Sequence, residues 1–128
     1  MSTNTLFQSI PREDHLALFD QKDRRLNSAR VAEFLRFNKK DVAFAVNIPV
    51  ASIRYDEKIP KILEDRLHEW ATAINLVSSF FKDPHKTALW FKVPNPQLGN
   101  IAPRDLIRIG RAHRLLQFIQ DALSENAP

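Results

Sequence analysis

PKILEDRLHEWATAINLVSSFFK, residues 60–82, is the stretch whose reading decides the fold. Leu63, Leu67, Trp70, Ile74, Val77 and Phe81 recur at alternating intervals of four and three residues. That is the spacing of one face of an α-helix. Ile62, Ala73, Leu76 and Phe80 widen the seam. Pro60 suits the helix start, because its missing N–H is not needed there. A face this broad must be covered, either by this chain or by a second copy. Burying each larger side chain contributes roughly 1.5–3 kcal/mol, so this helix is expected to organise the core.

Further helices are read outward from it. Leu16 and Phe19 give an apolar side to a short helix over Glu13–Gln21. Asn27 or Ser28 caps a helix carrying Val31, Phe34 and Leu35, and Asn38 caps one carrying Val42, Ala43, Ala45 and Val46. Asn47, tolerant of left-handed backbone, ends the latter, and Pro49 suits the start of another over Val50–Tyr55. Asp83 and Pro84 open a helix through Phe91, which Val93 and Pro94 stop. Pro103 opens the next, with Asp105 favourable in its first turn, and the last runs from Arg111 to Ser124. Sustained alternation and Asn-Gly or Asp-Gly turns are missing, so strands are not expected. The expected fold is all-α. Its parts are a flexible lead (1–27), a helix-turn-helix-like bundle (28–60), a long connecting helix (61–82) and a small C-terminal helical domain with a tail (83–128).

At 128 residues the chain suffices for one domain or two small lobes sharing a core. Net charge is +4, with ten Lys/Arg against eight Asp/Glu in residues 1–60 and nine against seven in residues 61–128. Positive charge is therefore not concentrated as in a dedicated nucleic-acid binder. Cysteine is absent, which excludes disulfides, Cys zinc sites and Cys nucleophiles. No membrane-length apolar run or signal-peptide order is present, and a cytoplasmic location is expected. His15, His68, His85 and His113 are widely separated, and glycines at only 99 and 110 leave no phosphate loop. Neither catalysis, nor a cofactor, nor a metal is expected.

NKKDVAFAVNIPVASIRYDEKIP, residues 38–60, has the layout of a helix-turn-helix. Ala43 takes the close-contact position, Asn47 the turn, and Ile48 and Ile53 pack on either side. Ser52, Arg54 and Tyr55, with Ala51, would face DNA, and Lys39, Lys40 and Lys58 would lie near phosphates. Two short helices around a turn are also ordinary all-α packing, and Asp56 and Glu57 would repel phosphates.

ALWFKVPNPQLGNIAPRDLIRIGR, residues 88–111, holds three of eight prolines and both glycines. Pro94-Asn95-Pro96 enforces a stiff extended turn. Gly99 is expected at positive φ or against another backbone, with Asn100 continuing the turn, and Gly110 either breaks the path to the last helix or marks close packing. The result is a rigid corner packed by Trp90, Phe91, Leu98 and Ile101. Trp70 and Trp90 read as core. Arg104, Arg108 and Arg111 have helical spacing, which fits either a solvated face or a partner contact.

This stretch, followed by HRLLQFIQDALSEN, resembles the C-terminal toxin-binding domain of the Xre/MbcA/ParS antitoxins. Trp90, Pro94, Asn95, Pro96, Leu98, Gly99, Pro103 and Leu106 match the pattern, and VASIRYDEKIP resembles the Xre-like segment upstream, so the likeness spans about residues 28–124. Asn100 departs from a usual glycine, as does Asn47 in the helix-turn-helix. The resemblance implies the antitoxin of a type II toxin-antitoxin pair. Its partner would be a RES-type NAD-consuming or ADP-ribosyltransferase-like toxin encoded by an adjacent gene, occluded by the C-terminal helix and tail. It further implies that Arg104, Arg108, Arg111 and Arg114 face the toxin, that Ser124, Glu125 and Asn126 lie at its cleft, that the chain forms a homodimer, and that it represses its operon by binding operator DNA. The alternative is a stand-alone helix-turn-helix transcriptional regulator. For residues 124–126, fraying of a terminus is the alternative.

Overall fold

The computed structural model describes residues 14–125. They form six α-helices: α1 (Ser28–Phe34), α2 (Lys39–Val46), α3 (Lys61–Phe81), α4 (Pro84–Lys92), α5 (Pro103–Arg108) and α6 (Ala112–Glu125). Single 3₁₀ turns occupy Val50–Ser52 and Pro96–Leu98. The fold is all-α; among the described residues the only extended pairings are isolated bridges, Phe19 with Leu26 and Asn95 with Ile101. No described helix is long and apolar enough to cross a membrane.

Helix boundaries follow local chemistry. The Asn27 side chain accepts from the N–H of Arg30 and caps α1. Asn38 and Asp41 form a reciprocal capping box on α2, satisfying two N–H groups that the helix leaves unpaired. Asn47 ends α2 at φ 63°, Lys82 ends α3 at φ 55°, and Asp83 caps α4 with Pro84 at its first position.

α3 lies at the centre. Leu63, Leu67, Trp70, Ile74 and Val77 are all buried, and α1, α2, α4 and α6 pack around the helix, α6 most extensively. The centre of the seam is thus covered within the chain. Two edge-on ring pairs tie the helices together: Phe37 on Trp70 with centroids 5.7 Å apart, and Phe34 on Phe91 at 5.9 Å. α5 packs against α2, α4 and α6, so residues 28–60 and 83–125 share one core cluster with α3 inside it. The long helix is an axis of that core, the organising place its seam led the sequence reading to expect. Ile62 and Phe80, at the edges of the widened seam, are exposed.

The expected helix over Glu13–Gln21 is corrected among its described residues. Glu13 itself lies outside them. The Asp14 carboxylate accepts from the N–H groups of Leu18 and Phe19, both at 2.8 Å, and Ala17 is left-handed at φ 56°. A side chain that captures backbone donors in this way competes with helix formation. Leu16 and Leu18 are buried instead of a Leu16–Phe19 stripe, and Arg30 Nε donates to the Leu16 carbonyl at 2.7 Å.

Candidate functional site

The corner between α4 and α5 is closed by its own backbone. The N–H of Asn95 donates to the carbonyl of Ile101 at 3.1 Å, and the Asn95 carbonyl accepts from Leu98 and Asn100, each at 2.9 Å. The Asn95 side chain accepts from the N–H of Gln97, also at 2.9 Å. Gly99 (φ 76°) and Asn100 (φ 63°) are both left-handed, which lets the chain reverse within the hairpin-like loop. Pro103 is buried at the first position of α5. Trp90 is half-buried and meets Phe91 edge-on at 5.0 Å, so it forms part of the corner's wall as well as its support.

A second turn joins α5 to α6. Gly110 sits at φ 85°, its N–H donates to Ile107, and the Arg111 N–H donates to Leu106 at 2.8 Å. This is the paired pattern of a helix ending on a left-handed glycine. The turn breaks the helical row of arginines. Arg104 and Arg108 stay on α5, partly buried, and Arg108 reaches Asp105 at 3.2 Å. Arg111 and Arg114 are exposed at the start of α6 and line a hollow of about 310 Å³ with Gln97, Leu98, Gly99, Ile101, Leu106 and Phe118. Of the four arginines expected on one surface, the structure brings two together at the corner.

A neighbouring apolar hollow of about 180 Å³ shares Gln97 and Phe118 with the first. Val77, Phe80 and Phe81 of α3, Trp90 of α4 and Leu123 of α6 contribute to its walls. The two hollows form a continuous band along one side of α6. Gln97 is a wall residue with no mark in the sequence, and Phe80 was marked only as widening the α3 seam. Phe80 carried a signal, since it lies on the edge of the α3 seam, where the cover is incomplete. Ser124 and Glu125 are exposed in the last turn of α6, and Asn126 lies outside the described residues.

Residues 38–60 differ from expectation. The helix read over Val50–Tyr55 is only the turn Val50–Ser52; Ile53 is buried and extended at φ −79°, ψ 111°. Beyond the turn the Asp56 carboxylate accepts from Arg54 Nε at 2.7 Å and from the Lys58 N–H at 3.0 Å, folding residues 54–58 onto themselves. The hydrogen bond from Arg54 is the main cause that holds the Asp56 carboxyl down at about 2. Burial pushes the Tyr55 phenol upward. Lys39, Lys40 and Lys58 are exposed and Ser52 is half-buried. Asp20, Asp23, Asp56, Glu57 and Glu64 converge with Arg25 and Tyr55 around a hollow of about 520 Å³. This acidic concavity was illegible in sequence because its members come from three separate segments.

No protein-family model, no curated protein and no solved structure matches the chain.

Proposed function

We propose that the chain is a partner-neutralising protein of the antitoxin type, acting through the face built by the corner and α6. The observation that carries the reading is the closed Asn95–Ile101 corner, which holds the start of α6 beside an apolar band flanked by Arg111 and Arg114. Rigid presentation lowers the ordering cost of association. A band of half-buried apolar side chains, with Phe80 and Ile101 exposed, beside exposed cationic ones on a fixed frame fits a protein partner. The resemblance of residues 88–126 to the toxin-binding domain of Xre/MbcA/ParS antitoxins supplies the partner class: a RES-type NAD-consuming or ADP-ribosyltransferase-like toxin whose active site is occluded by α6 and the residues after it. A homodimer, which the same resemblance implies, would need faces other than the buried α3 seam.

Reading of operator DNA is the weaker part of that expectation. Arg54 is engaged by Asp56, the second helix is one turn long, and the adjoining concavity is acidic. Phosphates are repelled by such a surface. We infer that residues 38–60 serve packing and assembly.

The test is co-expression with each neighbouring gene product, followed by an NAD-consumption assay. The truncation must be short. Removing residues 115–128 would take Leu115 and Ile119 from the core, since they are only 0% and 3% exposed. Removing residues 124–128 spares Leu115 and Ile119 and isolates the tail. Full inhibition by that variant would refute entry of the tail into the toxin's cleft.

A further inference from the structure

We propose that the hollow at Arg111 and Arg114 binds an acidic, apolar segment of the partner protein: a carboxylate side chain with a large aliphatic or aromatic residue close to it in sequence. The inference rests on the partner-binding reading above and adds the chemistry of what is bound.

Charge comes first. Among the described residues, neither Arg111 nor Arg114 has an ion pair or a side-chain hydrogen bond, whereas Arg54 and Arg108 each hold a carboxylate. No carboxylate lines the hollow, and the Asp105 carboxylate on nearby α5 is taken by Arg108. Both arginines also stand at the N-terminal end of α6, whose first turn has no acidic residue. Cations are unfavourable at that end of a helix. A local rule broken without an internal partner is the pattern expected of residues kept for an external one. The planar guanidinium fork matches a carboxylate through two parallel hydrogen bonds.

The floor supplies the second requirement. Leu98, Ile101 and Phe118 lie beside the arginines, with Ile101 37% exposed although it sits in the corner. At Gly99 nothing lies within 4 Å of where a side chain would begin, so the rim is open there. Across Phe118 the apolar hollow continues past Trp90 and Leu123. A peptide whose carboxylate meets the arginines would therefore place neighbouring side chains on apolar surface in both directions. A phosphodiester backbone would satisfy the arginines but leave that floor uncovered, which favours protein over nucleic acid.

The experiment is selection of short random peptides displayed on phage against the immobilised full chain, then titration of the labelled winners in solution. Winners should pair Asp or Glu with a large apolar residue. Their binding should weaken roughly tenfold or more in the Arg111→Gln, Arg114→Gln double variant, the equivalent of losing one charge-assisted contact. Arg54→Gln should leave it unchanged, and thermal melting should show the double variant folded. Winners lacking acids, acidic winners indifferent to the double variant, or binding of a labelled DNA duplex through these two arginines with no peptide selected would each overturn the proposal. Acid-selective binding by a chain that silences no neighbouring gene product would uphold this site and refute the antitoxin reading. Silencing without acid selectivity would do the reverse.

Discussion

Asn95 and Ile101 face each other across the corner as an isolated antiparallel pair, with the Asn95 N–H 3.1 Å from the Ile101 carbonyl. Everything between them turns on left-handed backbone at Gly99 and Asn100. This small closed loop fixes where α5 begins, and through Gly110 where α6 begins.

The first prediction concerns that loop. Gly99 has open space around it, so the cost of a side chain there is purely conformational. Gly99→Ala should lower stability by about 1 kcal/mol, whereas Gly99→Asn should stay closer to the parent because Asn enters the left-handed region more readily. Chemical denaturation compares the three. Equal stability of the Ala variant would mean that the loop relaxes out of its left-handed form.

Asp83 offers a second check. Its side chain accepts from the N–H groups of His85 and Lys86 at the start of α4, at 2.8 and 3.2 Å. Asp83→Ala should cost about 1 kcal/mol through loss of the cap, and Asp83→Ser should recover most of it. The comparison is made by thermal or urea unfolding.

The Arg54–Asp56 pair predicts a titration. The folded-state pKa of Asp56 is depressed to about 2, principally by the hydrogen bond from Arg54. A depressed carboxylate contributes stability that is present above its ordinary range and is lost as pH falls through the folded value. Both side chains are solvated, so the effect on global stability is small. In Arg54→Ala the Asp56 pKa should return most of the way to about 3.9. Carboxylate carbon shifts followed by NMR against pH would show it. A parent value already in the ordinary range would mean that the pair does not persist in solution.

Two truncations should separate fold from tail. A chain ending at residue 123 should melt near the parent temperature. A chain ending at residue 114 should lose the cooperative transition, because α6 covers α3 with Leu115 and Ile119. Deleting even one large core side chain commonly costs 2–5 kcal/mol. Circular dichroism melting distinguishes these outcomes, and a cooperative transition in the shorter chain would place α6 outside the core.

The helices that were legible in the sequence are those whose signals were local. Asn38, Asp83, Pro84 and Pro103 mark starts by capping or by a missing N–H, and the α3 seam repeats often enough to fix its buried face. The corner was legible for the same reason, since Pro94, Pro96 and Gly99 restrict backbone angles wherever they occur. The failures came where the backbone left helical geometry. Asp14 captured N–H groups that a helix would have used, and beyond Ser52 the chain turns extended at Ile53. The arginine row is divided for a backbone reason: helical spacing continues on paper through Gly110, but its left-handed backbone ends α5 and places Arg111 just before α6, off the line of Arg108. The acidic concavity and the Phe118-centred band depend on segments far apart in sequence and needed three dimensions.

The central claim is tested most directly by co-expressing the full chain with each neighbouring gene product, one of them tagged, and measuring NAD consumption with and without the chain. The account predicts that a neighbour co-purifies with the chain, consumes NAD alone, and is silenced by the parent chain. If a neighbour binds no chain and consumes no NAD, or is inhibited as well by an unrelated helical protein, the antitoxin account is wrong.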